Sequence, residues 1–445
     1  MKQLTTPLRL RSLIEGSGLK AHLIRGGIGI AGIQAANRVL ALGMGIVLAR
    51  MLGPEGYGVY AYAFAIMGVL MVIAEAGVPT LLMREVAASQ ACAKWGILRG
   101  ALRRGIQFVA LTATIVSLLG LLVLWWFADS LRAQVLYTTV LMLLVLPVSA
   151  LCKTVAHAIM GLHRVVIGQA VNMLIRPLVV FIIVIVVFLV RPSLRQPQVA
   201  MAVQLFGALL VLFFSVLVLR YALPNESRTL RPKYKSHEWL KSALTFTLVS
   251  GAMIINNQVD IIMLGWFKET EDVGVYRVVT QSALLVIFIF QVASSVLNPS
   301  FAKFYARGDW KRLVELYKKS RLVIVNLTIP VVVVFVLAGK EILGIVFGYR
   351  YSSGSTALSI LAVGYFLNIL FGPVGGLLQM IGQEKITAYL LWVASFLNIA
   401  LNFILIPPYG IDGAAVATST TVFVYHAVLW LKYKQILVRK VKLHG

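Results

Sequence analysis

The sequence predicts an all-α polytopic membrane protein, with about twelve transmembrane helices in two pseudo-symmetric six-helix lobes around a central cavity. Three observations carry that prediction. Hydrophobic residues make up 60% of the chain and charged ones 13%, with a mean hydropathy of +0.89, far more apolar surface than a water-soluble domain can hide. The apolar residues fall in runs of roughly twenty or more, each able to cross about 30 Å of hydrocarbon as a helix. Of the 41 Lys and Arg, 31 lie in one alternating set of gaps and 8 in the other, which by the positive-inside rule puts both termini in the cytoplasm. A net charge of +25 therefore reads as topology and not as an affinity for nucleic acid.

The elements follow in order. Residues 1–25 are basic and lack a short apolar core with a cleavage site, so they read as a retained cytoplasmic segment. The first lobe, 26–221, holds runs at 26–49, 57–82, 105–127, 133–153, 165–190 and 199–221. A basic cytoplasmic linker, 222–240, separates it from the second lobe, 241–432, with runs at 241–266, 274–299, 321–348, 355–381, 385–407 and 411–432. A basic cytoplasmic tail, 433–445, closes the chain. The halves echo one another. Glu55-Gly56-Tyr57-Gly58-Val59-Tyr60 and Glu271-Asp272-Val273-Gly274-Val275-Tyr276 agree at four of six positions at an offset of 216. Gly161-Leu162-His163-Arg164 and Gly382-Gln383-Glu384-Lys385 are a weaker echo at an offset of 221. Six helices is an even number, so both copies insert the same way and the repeat axis lies along the membrane normal, a transporter architecture.

A charge at the bilayer centre costs about 2.5–3.5 kcal/mol on insertion scales, so each one needs a partner or a water-filled cavity. Arg38 lies midway along the first run, with Gln34 one turn earlier and Asn37 beside it. Arg176, followed by Pro177, interrupts the fifth run, with Asn172 one turn before. Lys153 and His157 are one turn apart near the inner end of the fourth and could attract phosphate. These six residues, Arg38, Arg176, Gln34, Asn172, Lys153 and His157, are the candidate lining of an anion-binding cavity. Asp260 in the seventh run, with Asn256 and Asn257 on its face, reads as an ion-coupling site or counter-charge, and Glu75 as counter-charge or structural ion pair. Asn398 and Asn402 read as hydrogen-bonding glue between helices, and His426 as packed.

No Walker, HExxH or Gly-x-Ser-x-Gly motif is present, and Cys92 and Cys152 have no metal or disulfide spacing. No catalytic residue and no cofactor is expected, beyond H+ or Na+ as a coupling ion. The loops on the outer side, about ten residues or fewer, are too short for an extracytoplasmic enzyme domain.

The stretch from Asn37 through Leu48-Ala49-Arg50-Met51-Leu52-Gly53-Pro54-Glu55-Gly56-Tyr57-Gly58 to Arg84-Glu85-Val86-Ala87 resembles the opening of Wzx-type polysaccharide or O-antigen flippases. Gln258-Val259-Asp260, Leu264-Gly265 and Val273-Gly274-Val275-Tyr276 extend the likeness, as do Gly382, Asn398, Asn402, Pro407, Tyr409-Gly410-Ile411 and Gly413-Ala414-Ala415. These transporters belong to the multidrug/oligosaccharidyl-lipid/polysaccharide exporter superfamily. The resemblance implies a MATE-like fold in the bacterial inner membrane. It also implies alternating-access transfer of undecaprenyl-pyrophosphate-linked oligosaccharide from the cytoplasmic to the periplasmic leaflet, for O-antigen, capsule or exopolysaccharide assembly. A polysaccharide polymerase and a chain-length regulator are the implied partners besides the lipid bilayer. The alternative within the superfamily is a cation-coupled multidrug or small-molecule exporter, which Arg38, in a helix with no acid, disfavours.

Overall fold

The structure is a computed structural model that describes residues 19–444. The expected cytoplasmic segment 1–25 lies outside the described residues up to position 18, as do the side chains of the tail from 437 onward. Among the described residues every regular element is helical. The first long helix, α1 (Leu19–Glu75), breaks at Gly53, where φ of 69° suits a residue without Cβ and Pro54 restarts the helix. Then come α2 (Val78–Ala91), α3 (Trp95–Trp126), α4 (Ala133–Gly161), α5 (Val165–Val190) and α6 (Pro197–Ala222). They are followed by α7 (Ser236–Phe267), α8 (Thr270–Ala306), α9 (Trp310–Phe347), α10 (Ser355–Ile369) and α11 (Val374–Met380). The last, α12 (Glu384–His444), breaks at Gly410, just past Pro407 and Pro408. Nine helices of the described residues are long and apolar enough to cross a membrane. Two of these, α1 and α12, each hold two arms, and the bent pair α10 and α11 adds a further span. The twelve runs are thus accounted for.

Three runs are less regular than their hydropathy. The second, 57–82, is not one helix: Ala76 and Gly77 take left-handed φ of 42° and 69°, and α2 restarts with Pro79 in its first turn. A Cβ on Gly77 would stand 2.3 Å from the Ala243 carbonyl oxygen, so the break lets α7 approach backbone to backbone. The tenth bends by 41° between α10 and α11 around Gly372 (φ 69°) and Pro373. In the fifth, residues Val171–Ile175 widen into a π-helical turn just before Arg176, because Pro177 has no N–H to give the preceding turn.

The chain forms two compact units. The first comprises 1–44, 70–194 and 198–248; the second comprises 45–69, 195–197 and 249–445. Within the first, Val86, Leu98, Val155, Ile159 and Leu219 from α2, α3, α4 and α6 form a core. The linker 222–240 also docks there: Lys233 N–H donates to the Gly96 carbonyl at 2.8 Å and Arg99 to the Leu230 carbonyl at 2.7 Å. Within the second, Phe301, Leu313, Tyr317, Leu377 and Leu429 form the core. Leu118, Leu122 and Trp125, on one face of α3, are 59%, 60% and 73% exposed, an apolar stripe suited to a lipid surround.

Candidate functional site

Four of the residues picked out from sequence converge in the first unit, and α4 is what brings them together. Ser149, Lys153 and His157 follow one another at helical spacing on one face of it. The Lys153 ammonium donates to Glu75 Oε2 at 2.6 Å, and the Arg176 guanidinium donates to Ser149 Oγ at 2.7 Å. His157 Nδ1 lies 2.9 Å from the Lys153 carbonyl oxygen, one turn back on its own helix. Glu75 is the more buried partner of the ion pair, 8% exposed against 33% for Lys153. Its second oxygen, Oε1, is buried without a hydrogen-bond partner. Lys153 is thus met by a carboxylate, and Arg176 is held by a hydroxyl one turn before the lysine on α4. Arg176 and Asn172 are half-buried, Asn172 within the π-helical turn that precedes the arginine. Gln34 and Arg38, on the first arm of α1, are exposed. Ser149 had no signal of its own; its place one turn before Lys153 in a predicted helix is what could have found it.

The second unit holds a different constellation. Asp260 is 7% exposed on α7 and is held by neutral donors from three other helical segments. Tyr276 on α8 donates to Oδ2 at 3.1 Å, Asn402 on the first arm of α12 donates to Oδ1 at 2.7 Å, and Thr418 on the second arm donates to Oδ2. The amide oxygens of Asn398 and Asn402 are buried without a donor. A carboxylate ringed by neutral groups, with amide oxygens left over, can take up a proton or a small hard cation. Asn402 thus ties α12 to α7 as expected of an interhelical hydrogen bond, and Tyr276 and Thr418 are partners of Asp260 that a reading of single helices missed. The Tyr276 signal was its recurrence in the repeated hexapeptide.

The expected face of Asn256 and Asn257 toward Asp260 needs correction. Asn256 turns to α12, donating to Ser395 Oγ at 2.5 Å, and Asn257 is exposed and donates to the Met253 carbonyl one turn back at 2.8 Å. On a helix, residues three and four before an aspartate flank its direction without sharing its contacts, and the neighbouring α12 decides which polar groups meet.

A family model described as polysaccharide biosynthesis protein matches residues 23–305, and one described as MatE matches residues 242–404. The probable low-salt glycan biosynthesis flippase Agl15 of Haloferax volcanii is 27% identical over 220 residues, 49% of this chain and 46% of that protein. The alignment thus spans about half of that relative's length. A putative O-antigen transporter of Shigella flexneri is 22% identical over 86% of this chain and 91% of its own. Among solved structures, a multidrug resistance MATE family transporter of the MOP superfamily, in an inward-facing conformation, superposes with a TM-score of 0.75. It has 16% sequence identity and covers 94% of this chain and all of that one, a likeness of fold.

Proposed function

This chain belongs to the polysaccharide biosynthesis protein family, and from that premise we propose that it is a flippase for lipid-linked oligosaccharide. It is a multi-pass membrane protein with a MATE-like helical fold. In the reading proposed here it carries an undecaprenyl-pyrophosphate-linked glycan from the cytoplasmic to the periplasmic leaflet of a bacterial inner membrane by alternating access. The observation that carries the reading is the pair of cations beside α4, Lys153 of that helix held at Glu75 and Arg176 of α5 held at Ser149, inside apolar helices. A diphosphate gains most from guanidinium and ammonium groups where water is scarce, and a planar guanidinium can grip it with two parallel hydrogen bonds. The polyprenyl tail stays in lipid throughout, so the protein needs to shield only the head.

The energy source belongs to the same proposal. Asp260, with Asn398, Asn402, Tyr276 and Thr418 around it, is where H+ or Na+ would bind and drive the return of the carrier. The MatE match over 242–404 supports a second reading, a cation-coupled exporter of small molecules, whose cargo would be a soluble amphiphile.

Reconstituted vesicles separate the two. Purified protein should move a diphosphate-linked polyprenyl saccharide between leaflets, with Arg176→Ala slowing it about tenfold, a loss near the 1.4 kcal/mol of one good charge-assisted contact. Efflux of cationic dyes with no movement of the glycolipid would favour the exporter instead.

A further inference from the structure

The first turns of α7 leave an apolar cavity against α2 and α3 that neither charged site uses. All of its lining belongs to the first unit. At its deep end α7 meets α2 backbone to backbone, at Ala243 and Gly77. There α3 also closes on α2, where a Cβ on Gly105 would stand 2.8 Å from Leu82. At its other end α7 reaches α2 through side chains, the Trp239 indole donating to Glu85 Oε2 at 3.2 Å. Between these contacts lies a volume of about 230 Å³.

The lining is polarised along the helices. Val78, Leu82, Phe108 and Ala243 make the deep part. Glu85, Ser236 and Trp239 stand at the end from which α3 and α7 rise, which the charge rule predicts to be the inner one, and Arg104 is exposed at the rim. Glu85 is taken up by its neighbours, since Arg84 donates to its Oε1 at 3.0 Å and Trp239 to its Oε2. Arg104 lies over the ring of Tyr234, 6.0 Å from its centroid, a partner that carries no opposite charge. Leu111, Ile115, Leu118 and Leu122, all exposed, follow Arg104 at helical spacing on the same face of α3. The rim of the cavity therefore continues the apolar stripe suited to a lipid surround.

We propose that this cavity seats one anionic phospholipid of the bilayer, its headgroup phosphate on Arg104 and part of one acyl chain among Leu82, Phe108 and Ala243. An apolar void forfeits the contacts of its lining, and a hydrocarbon chain restores them. At about 230 Å³ the cavity is smaller than the roughly 300 Å³ at which sites for drug-sized solutes begin, so it takes a stretch of one chain and no compact solute. A guanidinium at headgroup level prefers an anionic lipid to a zwitterionic one, and basic pockets between helices on the cytoplasmic side hold such heads. The inference needs neither the cargo nor the coupling ion of the reading above.

The test uses the full-length protein in phosphatidylcholine nanodiscs that carry a trace of lipid with a photoactivatable diazirine in one acyl chain. The head of that probe is either phosphatidylglycerol or phosphatidylcholine, and labelled peptides are located by mass spectrometry. Label should fall on residues 78–85, 101–108 and 236–243, about fivefold more from phosphatidylglycerol, the roughly 1 kcal/mol of one basic residue near an anionic head. Arg104→Gln should bring the phosphatidylglycerol probe down to the level of the other. Ala243→Phe, which fills the cavity, should abolish label there from both probes and leave the Leu118–Leu122 stripe labelled as before. Three results overturn the proposal: no label on the cavity peptides, equal label from the two heads, or label that neither variant changes. Displacement of the phosphatidylglycerol probe by an equal amount of polyprenyl diphosphate would give the cavity to the cargo and overturn it too. Should Ala243→Phe fail to reach the membrane, the comparison of heads and the exposed position Arg104→Gln decide.

Discussion

Lys153 and Glu75 form an ion pair of unequal burial, and that inequality sets what each substitution does. Lys153→Met leaves a carboxylate that is 8% exposed without its amine, whereas the amine itself, 33% exposed, can turn to water if Glu75 is lost. Because the lysine is partly solvated, the expected loss for Lys153→Met is about 1–3 kcal/mol, less than for a fully buried pair. Thermal unfolding of the solubilised protein should show it, and the double variant Lys153→Met, Glu75→Gln should recover at least half. Strictly additive losses would mean the two side chains are not coupled. At Asp260 the expectation differs. Asp260→Asn keeps the shape of the side chain and removes its charge, so the protein should still reach the membrane. Transport should lose its dependence on the Na+ or pH gradient and fall about tenfold, the effect of deleting a coupling ion. Retained gradient dependence would remove Asp260 from the coupling site. The sequence exposed these charges because a charge inside an apolar run stands out. It did not expose Ser149 or Thr418, which are ordinary hydroxyls in helices until Arg176 and Asp260 are found beside them.

Helices were legible to the extent that hydropathy is one-dimensional. Twelve apolar runs correspond to twelve spans, yet the breaks at Gly77 and Gly372 lie inside runs of unbroken hydropathy, with Pro79 and Pro373 beside them as their marks in the sequence. Gly77 was unreadable because its reason is α7 at the Ala243 carbonyl, a neighbour distant in sequence. Arg176-Pro177 was readable because proline interrupts the hydrogen-bond ladder wherever it falls. The linker 222–240 gives a prediction at this scale. Its Lys233 carbonyl would lie 1.9 Å from a Cβ on Gly100 of α3, so Gly100→Val must lift the linker from its cradle. Limited proteolysis from the cytoplasmic side should then cut between Leu230 and Lys241 about ten times faster than in the wild type, as for a segment whose local unfolding has become easy. An unchanged rate would show that the docked segment of Lys233 does not depend on the glycine.

Over the whole molecule, topology and cargo are the two expectations that matter. The distribution of 31 against 8 basic residues predicts one orientation, in which single cysteines at Lys311 and at Arg350 should label from opposite sides of the membrane. Labelling of both from one side would invert or break the twelve-span reading. An orientation can be predicted from sequence because charge pattern acts on the chain during insertion, before any tertiary contact. The sequence is silent on which sugar the proposed carrier would take, since a glycan is recognised by polar groups scattered over many helices. The central proposal, that Lys153 and Arg176 beside α4 escort a diphosphate-linked glycan across the bilayer, is tested most directly in a strain lacking this gene. The amount of undecaprenyl-pyrophosphate-linked glycan left on the cytoplasmic leaflet is the quantity to measure. It should accumulate in the deletion, clear when the wild type is restored, and persist when Arg176→Ala reaches the membrane at normal level. No accumulation in the deletion, or full clearance by the arginine variant, would contradict the account.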